Sequence, residues 1–555
     1  MRAILGINCF SHDTSAALLV DGELVGFAEE ERFNREVHTK RFPNQAIASV
    51  LRLGGIEISE VELVAFAHRP AIDYRRGALD ALARRAPRRL AAQTYVDLRL
   101  AGRERLLRRT WGYRGPVLHV GHHLAHAASS FFASPFEEAA VLTLDRGGDF
   151  LSTTTNLGRG PHLEVCTEVR NPNSLGEVYT ALTRFLGFFP NDEGKVMGLA
   201  PYGTAKYVEE LRELVRLLPG GGFEVDFDWF GYQVEGPPVS ERFVARYGPA
   251  REPETEITER DKDLAFAVQD LIEEAALHVA RHLRQSSGSR RLCLAGGLAL
   301  NSVMNTRLLQ EAGFEEVYIQ PAAGDAGNAI GAALWTWHEH LGQPRTWRMD
   351  HAFWGESWSD ADCESALRRA GVAHTRVADP AEAAAQRLSE GKVVGWFQGR
   401  AEAGPRALGA RSILADPRRA EMRDVVNERV KRREWFRPFA PSVVHEAGAD
   451  FFDGYTQSPF MLLVLPIAAD KRSVVPAVSH VDGTGRVQSV TAETNPGFHR
   501  VIERFGELTG VPVVLNTSFN LRGEPMVHRP GEAVADFRRS AMDSLVIGSL
   551  VADKA

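Results

Sequence analysis

Short apolar runs broken by polar, glycine-containing turns open the chain. RAILGIN, TSAALLVD and ELVGFAEEE predict three consecutive strands, with the Asp-Gly of VDGEL as a hairpin turn between the second and third. The same triple recurs later as AAVLTLD, FLSTTTNLG and LEVCTEVR, again with a glycine-containing turn after the first strand. RRLCLAGGLALNSVMNTRLLQ then predicts a strand, a Gly-Gly turn and a helix, and VYIQPAAGDAGNAIGAALWTWHEHL repeats that unit. Two copies of a strand triple followed by strand-turn-helix units predict an α/β fold. It has the duplicated plan of the actin and sugar-kinase group, in which two lobes enclose a nucleotide or metal cleft. After residue 340 the periodicity fades in GQPRTWRMDHAFWGESWSDAD. A second α/β unit starts at AAAQRLSEGKVVGWFQGR, a helix leading into a strand. The expected organisation is therefore a first domain over 1–345, a connecting segment over 346–375 and a second domain over 376–555.

Composition narrows the class. The 555 residues are 44% hydrophobic and 25% charged, the balance of a soluble globular chain too long for a single core. A net charge of -7 gives no bulk field for nucleic acid, so none is expected as a partner. No run approaches the apolar length of a membrane span, and the N-terminus turns polar too soon for a signal peptide. The four cysteines are scattered without a CxxC pair, which suits a reducing compartment and excludes a thiolate zinc site. A cytoplasmic enzyme, monomer or homodimer, is the expectation. One stretch departs from the average: residues 74–114 are rich in arginine at helical spacing. They read as a solvated helix face, or as a rim attracting an anionic ligand.

The densest candidate chemistry of the first domain lies in HVGHHLAHAASSFF, residues 119–132. His122 and His126 stand at i, i+4 and share one face of a helix; His119 and His123 would form a second such pair. Asp145 ends the strand VLTLD, and Asp325 sits in PAAGDAGN at a strand-to-helix turn, where α/β folds point carboxylates into the cleft. Two imidazoles and two carboxylates suit a first-row divalent metal with open positions, whereas each aspartate alone reads equally as a cap or turn residue. Gly296, Gly297 and Asn301 of LAGGLALN precede a helix, so their backbone could hold phosphate or ribose. Lys195 of NDEGKVMGLAPYG could reach a phosphate, although the spacing is not that of a P-loop.

In the second domain, arginines stand in glycine-rich turns rather than on helix faces. GRAEAGPRALGARSILADPR carries Arg400, Arg406 and Arg411; KRREWFRPFAP carries Lys431, Arg433 and Arg437; HVDGTGRVQSV carries His480 and Arg486. LNTSFNLRGEP adds Asn516, Ser518, Asn520 and Arg522, and its small polar set Asn516, Thr517 and Ser518 could hydrogen-bond a planar amide such as a carbamoyl group. Such arginines suit bidentate capture of phosphate or carboxylate.

Seven of these motifs, in order, carry a resemblance. GINCFSHDTSAALLVDGELVGFAEEERFNREVHTKRFP, HHLAHAASSF, GKVMGLAPYG, GPRALGARSILADPR, FRPFAPSV, HVDGTGRVQSV and LNTSFNLRGEP together resemble the O-carbamoyltransferases of nodulation-factor and antibiotic biosynthesis. The resemblance implies an N-terminal domain similar to the metal-binding subunit that transfers threonylcarbamoyl to tRNA, and a C-terminal domain similar to threonylcarbamoyl-AMP synthase. It implies a two-step reaction. Carbamoyl phosphate and ATP, with Mg(II), give a carbamoyl-adenylate in the C-terminal site, and the carbamoyl group then passes to a hydroxyl of a small-molecule natural product or sugar in the N-terminal site. Fe(II), or another divalent metal, would sit on His122, His126, Asp145 and Asp325. His12, oriented by Asp13 in SHDTSA, would take the hydroxyl proton. Arg406, Arg437 and Lys431 would act on the reacting phosphate, with Arg411, Arg433, His480, Arg486, Asn516, Ser518 and Asn520 binding carbamoyl phosphate and ATP. Where the family shows glycine after the strand-end aspartate, this chain has Arg146; if that position needs a left-handed backbone, arginine there is strained. The competing readings are a tRNA threonylcarbamoyl-type transferase and a sugar-kinase-like phosphotransferase.

Overall fold

The turn at Asp21-Gly22 forms as its sequence demands. Both residues take positive φ, 49° and 90°, the backbone of the tight hairpin that right-twisted strands accept. In the computed structural model, which describes residues 1–69 and 72–554, it joins β2 (Ser15–Val20) to β3 (Glu23–Glu29). With β1 (Ala3–Asn8), β4 (Leu63–Ala67) and β5 (Val117–Val120) they form a five-stranded sheet in the order β3-β2-β1-β4-β5.

The second triple builds the same object. β6 (Glu138–Gly148), β7 (Leu151–Arg159) and β8 (His162–Arg170) precede a small hairpin, β9 (Val215–Leu217) with β10 (Phe223–Val225). The sheet is completed by β11 (Arg291–Ala295) and β12 (Glu316–Ile319), and its order read from β8 is β8-β7-β6-β11-β12. In each sheet the first strand pairs antiparallel with the second and parallel with the fourth, and the fourth pairs parallel with the fifth. This is the duplicated plan expected of the actin and sugar-kinase group.

The helix that leaves each sheet crosses to the other. His122–Phe131 follows β5 yet packs on β6, β7 and β11, while Asn328–Trp335 follows β12 yet packs on β1, β2 and β4. The two helices also pack on each other, and their small side chains allow it. A Cβ on Gly331 would stand 1.8 Å from the carbonyl oxygen of Ala125, and one on Gly6 would stand 1.9 Å from that of Ala329. Backbones this close leave room for hydrogen only, so the Gly and Ala of NAIGAALW reflect packing rather than helix propensity.

Residues Met1–Val25 and Lys40–Met349 form one compact unit; Gly26–Thr39 and Asp350–Ala555 form the other. Two expectations change here. The segment 346–375 is not a simple connection: it contains the helix Asp360–Arg369, whose Cys363, Ala366 and Leu367 lie in the core of the second unit. The second unit also takes in residues 26–39, from near the start of the chain. Phe27 N–H donates to the Trp354 carbonyl (3.0 Å), Arg32 to that of Gly404 (2.7 Å), and Arg35 to those of Pro525 and Met526 (2.7 Å each). Distant in sequence, those partners left no local pattern to read.

The second unit is built on a mixed sheet of nine strands. Its strands are β13 (Thr375–Arg376), β14 (Val394–Phe397), β15 (Arg411–Ala415), β16 (Ala440–Val444), β17 (Leu463–Pro466), β18 (Thr484–Val490), β19 (Val513–Ser518), β20 (Ser544–Ile547) and β21 (Leu550–Asp553). They lie in the order β13-β21-β20-β14-β15-β19-β16-β18-β17. Alternate residues feed separate cores. Phe397, Ile413, Leu515 and Leu545 enter one, and Trp396, Leu414, Val514 and Val546 enter the other. A sheet buried on both faces loses the apolar-polar alternation that would announce it, which is why its strands read as short continuous apolar runs. Among the described residues no helix is long and apolar enough to cross a membrane. Within the arginine-rich stretch, the side chains of Arg75, Arg76 and Arg89 lie outside the described residues.

Candidate metal centre and anion pocket

The crossed helices bring four expected residues together. His122 and His126 lie on the helix His122–Phe131, Asp145 lies in β6 and Asp325 lies in the turn after β12; all four are buried, with ligand atoms within 4.8 Å of one another. His122 Nε2 stands 3.3 Å from Asp145 Oδ2, 3.5 Å from Asp325 Oδ1 and 3.1 Å from His126 Nε2, which is itself 3.5 Å from Asp325 Oδ1. β6 loses register with β7 between Leu144 and Gly148, an irregularity that sets Asp145 free of the ladder.

The donor set fits a divalent cation. Asp325 Oδ1 is buried without a hydrogen-bond partner, an arrangement that costs free energy unless a cation or proton completes it. Burial would raise the Asp145 carboxyl, but the hydrogen bond from His122 and the neighbouring imidazoles hold it well below its usual range. Asp325 is likewise held low against burial, by His12 and His122. Burial opposes the His122 imidazolium, yet Asp325 and Asp145 outweigh it and lift that histidine to about 9. Two carboxylates in a dry pocket thus demand positive charge, which protons or a metal can supply.

His12 borders this cluster. Its Nδ1 is 2.9 Å from Asp13 Oδ2 and its Nε2 is 3.8 Å from Asp325 Oδ2. Burial disfavours its charged form, but Asp325 and the hydrogen-bonded Asp13 raise it to about 9. Arg146 does not take a left-handed backbone, and Gly147 after it does (φ 152°), so the expected strain is absent; its guanidinium donates to Asn191 Oδ1 at 2.9 Å.

Other expectations in the first unit are corrected. His119 is in strand β5, not on the helix, so it forms no pair with His123. It accepts from Arg103 (2.7 Å), and His123 meets Thr143 Oγ1 (2.7 Å). The Gly296-Gly297 turn does not offer free amides for phosphate. Gly296 N–H donates to the Ala323 carbonyl (2.8 Å) and Gly297 N–H to Asp145 Oδ1 (2.9 Å), so the turn holds a candidate ligand. Gly296 has φ 95°, which explains the first glycine. Asn301 caps the next helix through Met304 N–H (3.1 Å) and exchanges hydrogen bonds with Gln269. Lys195 pairs with Asp192 at 3.0 Å.

Three residues around the cluster were missed. His68 follows β4, with Nε2 3.2 Å from His122 Nδ1. Asp149 follows β6 and accepts from His122 N–H at 2.6 Å. The Asn328 amide is 3.1 Å from His126 Nε2 and 3.4 Å from His122 Nδ1. The strand-end rule that found Asp145 would also have found His68, in FAHRP, and Asn328 lies three residues beyond Asp325.

In the second unit Arg406, Arg433, Arg437, Arg486 and Lys431 converge. Burial, and then the repulsion of Arg437, lower Arg406 to about 10. Burial with the charges of Arg406, Arg433 and Arg437 pushes Arg486 well below its usual range, and burial with Arg437 does the same to Arg433. Glu434, whose carboxylate is 3.6 Å from Arg437, does not cancel this. Lys431, depressed by burial and by Arg433 and Arg437, donates to the Ser518 carbonyl (2.8 Å) and to Asn520 Oδ1 (2.6 Å). Ser518 and Asn520 therefore position the ammonium. A partly buried pocket of several cations can hold a multivalent anion.

Arg411 does not join this pocket. It is fully buried, its guanidinium donates to the carbonyls of Gln398 (2.7 Å), Ala410 (3.0 Å), Gly399 (3.1 Å) and Glu356 (3.3 Å), and it lies 3.8 Å over Phe397. Arg400 is similarly spent on the carbonyls of Gly355 and Trp354. Asn516 donates to the Ala407 carbonyl, Ser442 and Gln488, and His480 stands 3.5 Å from Asp482.

Comparison with known proteins places both units. A family model described as the carbamoyltransferase N-terminus matches residues 3–334, and one described as the carbamoyltransferase C-terminus matches residues 385–554. An uncharacterized protein of Synechocystis sp. is 39% identical, covering 100% of this chain and 97% of that protein. Nodulation protein NolNO of Sinorhizobium fredii is 38% identical over 99% of this chain and 80% of its own length. Nodulation protein NolO of Bradyrhizobium diazoefficiens is 40% identical over 78% of this chain and 79% of its own.

Proposed function

The chain belongs to the carbamoyltransferase family, and from that premise we propose an ATP-dependent O-carbamoyltransferase that divides its reaction between the two units. Carbamoyl phosphate enters the arginine pocket of the second unit, where Arg406, Arg433, Arg437 and Arg486 hold phosphate oxygens and Lys431 neutralises charge as phosphate departs. Water cleaves carbamoyl phosphate there into carbamate and inorganic phosphate, and a carbamate oxygen then attacks the α-phosphorus of Mg(II)-bound ATP, forming a carbamoyl-adenylate and expelling pyrophosphate. In the first unit a small-molecule hydroxyl attacks the carbamoyl carbon, and AMP leaves. The observation that carries this reading is that each unit holds its own charged cluster, a buried one with donors for a cation and a partly buried one with donors for an anion.

His122, His126, Asp145 and Asp325 would hold Fe(II) or another first-row divalent ion, which supplies Lewis acidity toward the carbamoyl oxygen. Asp325 cannot support an imidazolium at His12 and a cation at the histidine pair equally. Were Asp325 engaged by such an ion, His12 would lose part of what supports its charged form and would serve as the general base, with Asp13 aiming its ring.

Incubating the protein with carbamoyl phosphate, ATP and Mg(II), without an acceptor, tests the first step. Carbamoyl-adenylate and pyrophosphate, read by mass spectrometry, are expected. ATP left intact, with carbamoyl phosphate present, would overturn the adenylate route.

A further inference from the structure

His122 can serve as a metal ligand in one tautomer only. Its Nε2 faces Asp145, Asp325 and His126, so that nitrogen must present its lone pair to a cation. The ring proton then sits on Nδ1 and needs an acceptor, because a buried N–H left unpaired is costly. The acceptor at hand is His68 Nε2, 3.2 Å away, with the ring centroids 4.5 Å apart. A His68 that accepts at Nε2 carries its own proton on Nδ1, which stands 3.6 Å from Asp149 Oδ1, an electrostatic distance rather than a hydrogen bond.

Asp149 is pinned in turn. It accepts from the N–H of Arg69 (3.0 Å) and from the N–H of His122 itself (2.6 Å), at the start of the helix that carries both histidines. Every member is buried. We propose that His68 and Asp149 form a positioning relay, Asp149 carboxylate to His68 to His122, which fixes the His122 tautomer and ring so that Nε2 is presented to a divalent metal. The relay rests on the metal reading above. Outer partners of this kind orient ligating histidines and raise their basicity. Here the partner is a second histidine, so the carboxylate acts through one more imidazole. Each component comes from a different strand end: His68 after β4 of the first sheet, Asp149 after β6 of the second.

Co(II) binding to the full-length, metal-stripped protein tests the relay, with the unfolding midpoint of each metal-free variant as control. His68→Leu keeps the volume but removes the acceptor, and should weaken Co(II) binding roughly 10–100-fold. His68→Gln supplies an amide oxygen that can accept from His122 Nδ1–H, and should recover binding to within a factor of a few of wild type. Asp149→Asn keeps an oxygen for the His122 N–H while losing the charge; a drop of about tenfold is expected, and it gives the answer if the leucine variant does not fold. Tight wild-type binding with equal affinity in the Leu, Gln and Asn variants would overturn the relay and leave the metal reading standing. A wild-type protein that binds no Co(II) would overturn the metal reading, and the relay with it.

Discussion

The protein gathers charge in two places, one buried and one half-buried, and manages it in opposite ways. At the candidate metal centre the signs are interleaved: Asp145 and Asp325 sit among His12, His122 and His126, the imidazoles hold both carboxyls low, and the carboxylates lift His12 and His122. In the second unit the signs are alike. Arg406, Arg433, Arg486 and Lys431 are all pushed below their usual ranges by burial and, secondarily, by neighbouring cations, Arg437 among them. A divalent cation would replace the protons of the first cluster at little change in net charge. The second is held in a costly state that a bound anion would relieve. A cluster that helps its fold and a cluster that burdens it are both legible as binding sites, because a fold tolerates the second only where a ligand recovers the cost.

That contrast can be broken by substitution. The largest effect expected is on chemistry. Arg437→Ala should cut carbamoyl-adenylate formation about 100-fold or more while leaving transfer from supplied carbamoyl-adenylate near wild type. Equal loss of both steps would erase the division of labour. Next comes stability, with opposite signs in the two regions. Asp145→Asn removes one partner of the interleaved cluster and should cost the metal-free protein about 3–5 kcal/mol, read by chemical denaturation. Arg486→Met removes one of several like charges and should leave the ligand-free protein as stable as wild type or more so, by up to about 4 kcal/mol. The same change should abolish stabilisation by inorganic phosphate, which in wild type amounts to about 2.7 kcal/mol at 100 times the dissociation constant. A phosphate response that survives Arg486→Met would take that arginine out of the pocket. The smallest effect probes the scaffold under the metal centre. Gly331→Ala forces a methyl against the Ala125 carbonyl and should cost about 1–3 kcal/mol, lowering the unfolding midpoint without touching phosphate binding.

Much of this organisation is written locally. The Asp-Gly hairpin, the repeated strand triple and the strand-turn-helix units follow from short-range rules of turn and periodicity, and the five-stranded sheets of the first unit formed where those rules placed them. The i, i+4 histidines and the two strand-end aspartates were readable because helix pitch and α/β topology fix where such side chains point. Arginines in glycine-rich turns announced a cluster of like charge, which Arg406, Arg433 and Arg486 form with Arg437.

Residue type, however, does not say how a side chain's hydrogen bonds are spent. Arg411 looked like Arg406 in sequence, yet its donors go to four main-chain carbonyls. The Gly296-Gly297 turn looked like a phosphate cradle, yet its amides go to Asp145 and Ala323. His68 and Asp149, each outside the motifs, became partners of His122 only through tertiary contact. Residues 26–39 entered the second unit through carbonyls near 354, 404 and 525, far beyond the reach of any local signal. The sequence by itself determined the elements, their repetition and the kinds of chemistry on offer, because these depend on neighbours within a turn or two. Only the tertiary structure decided which polar groups remain available to a ligand and which are consumed by the fold, because buried donors and acceptors pair with whatever group packing brings near them.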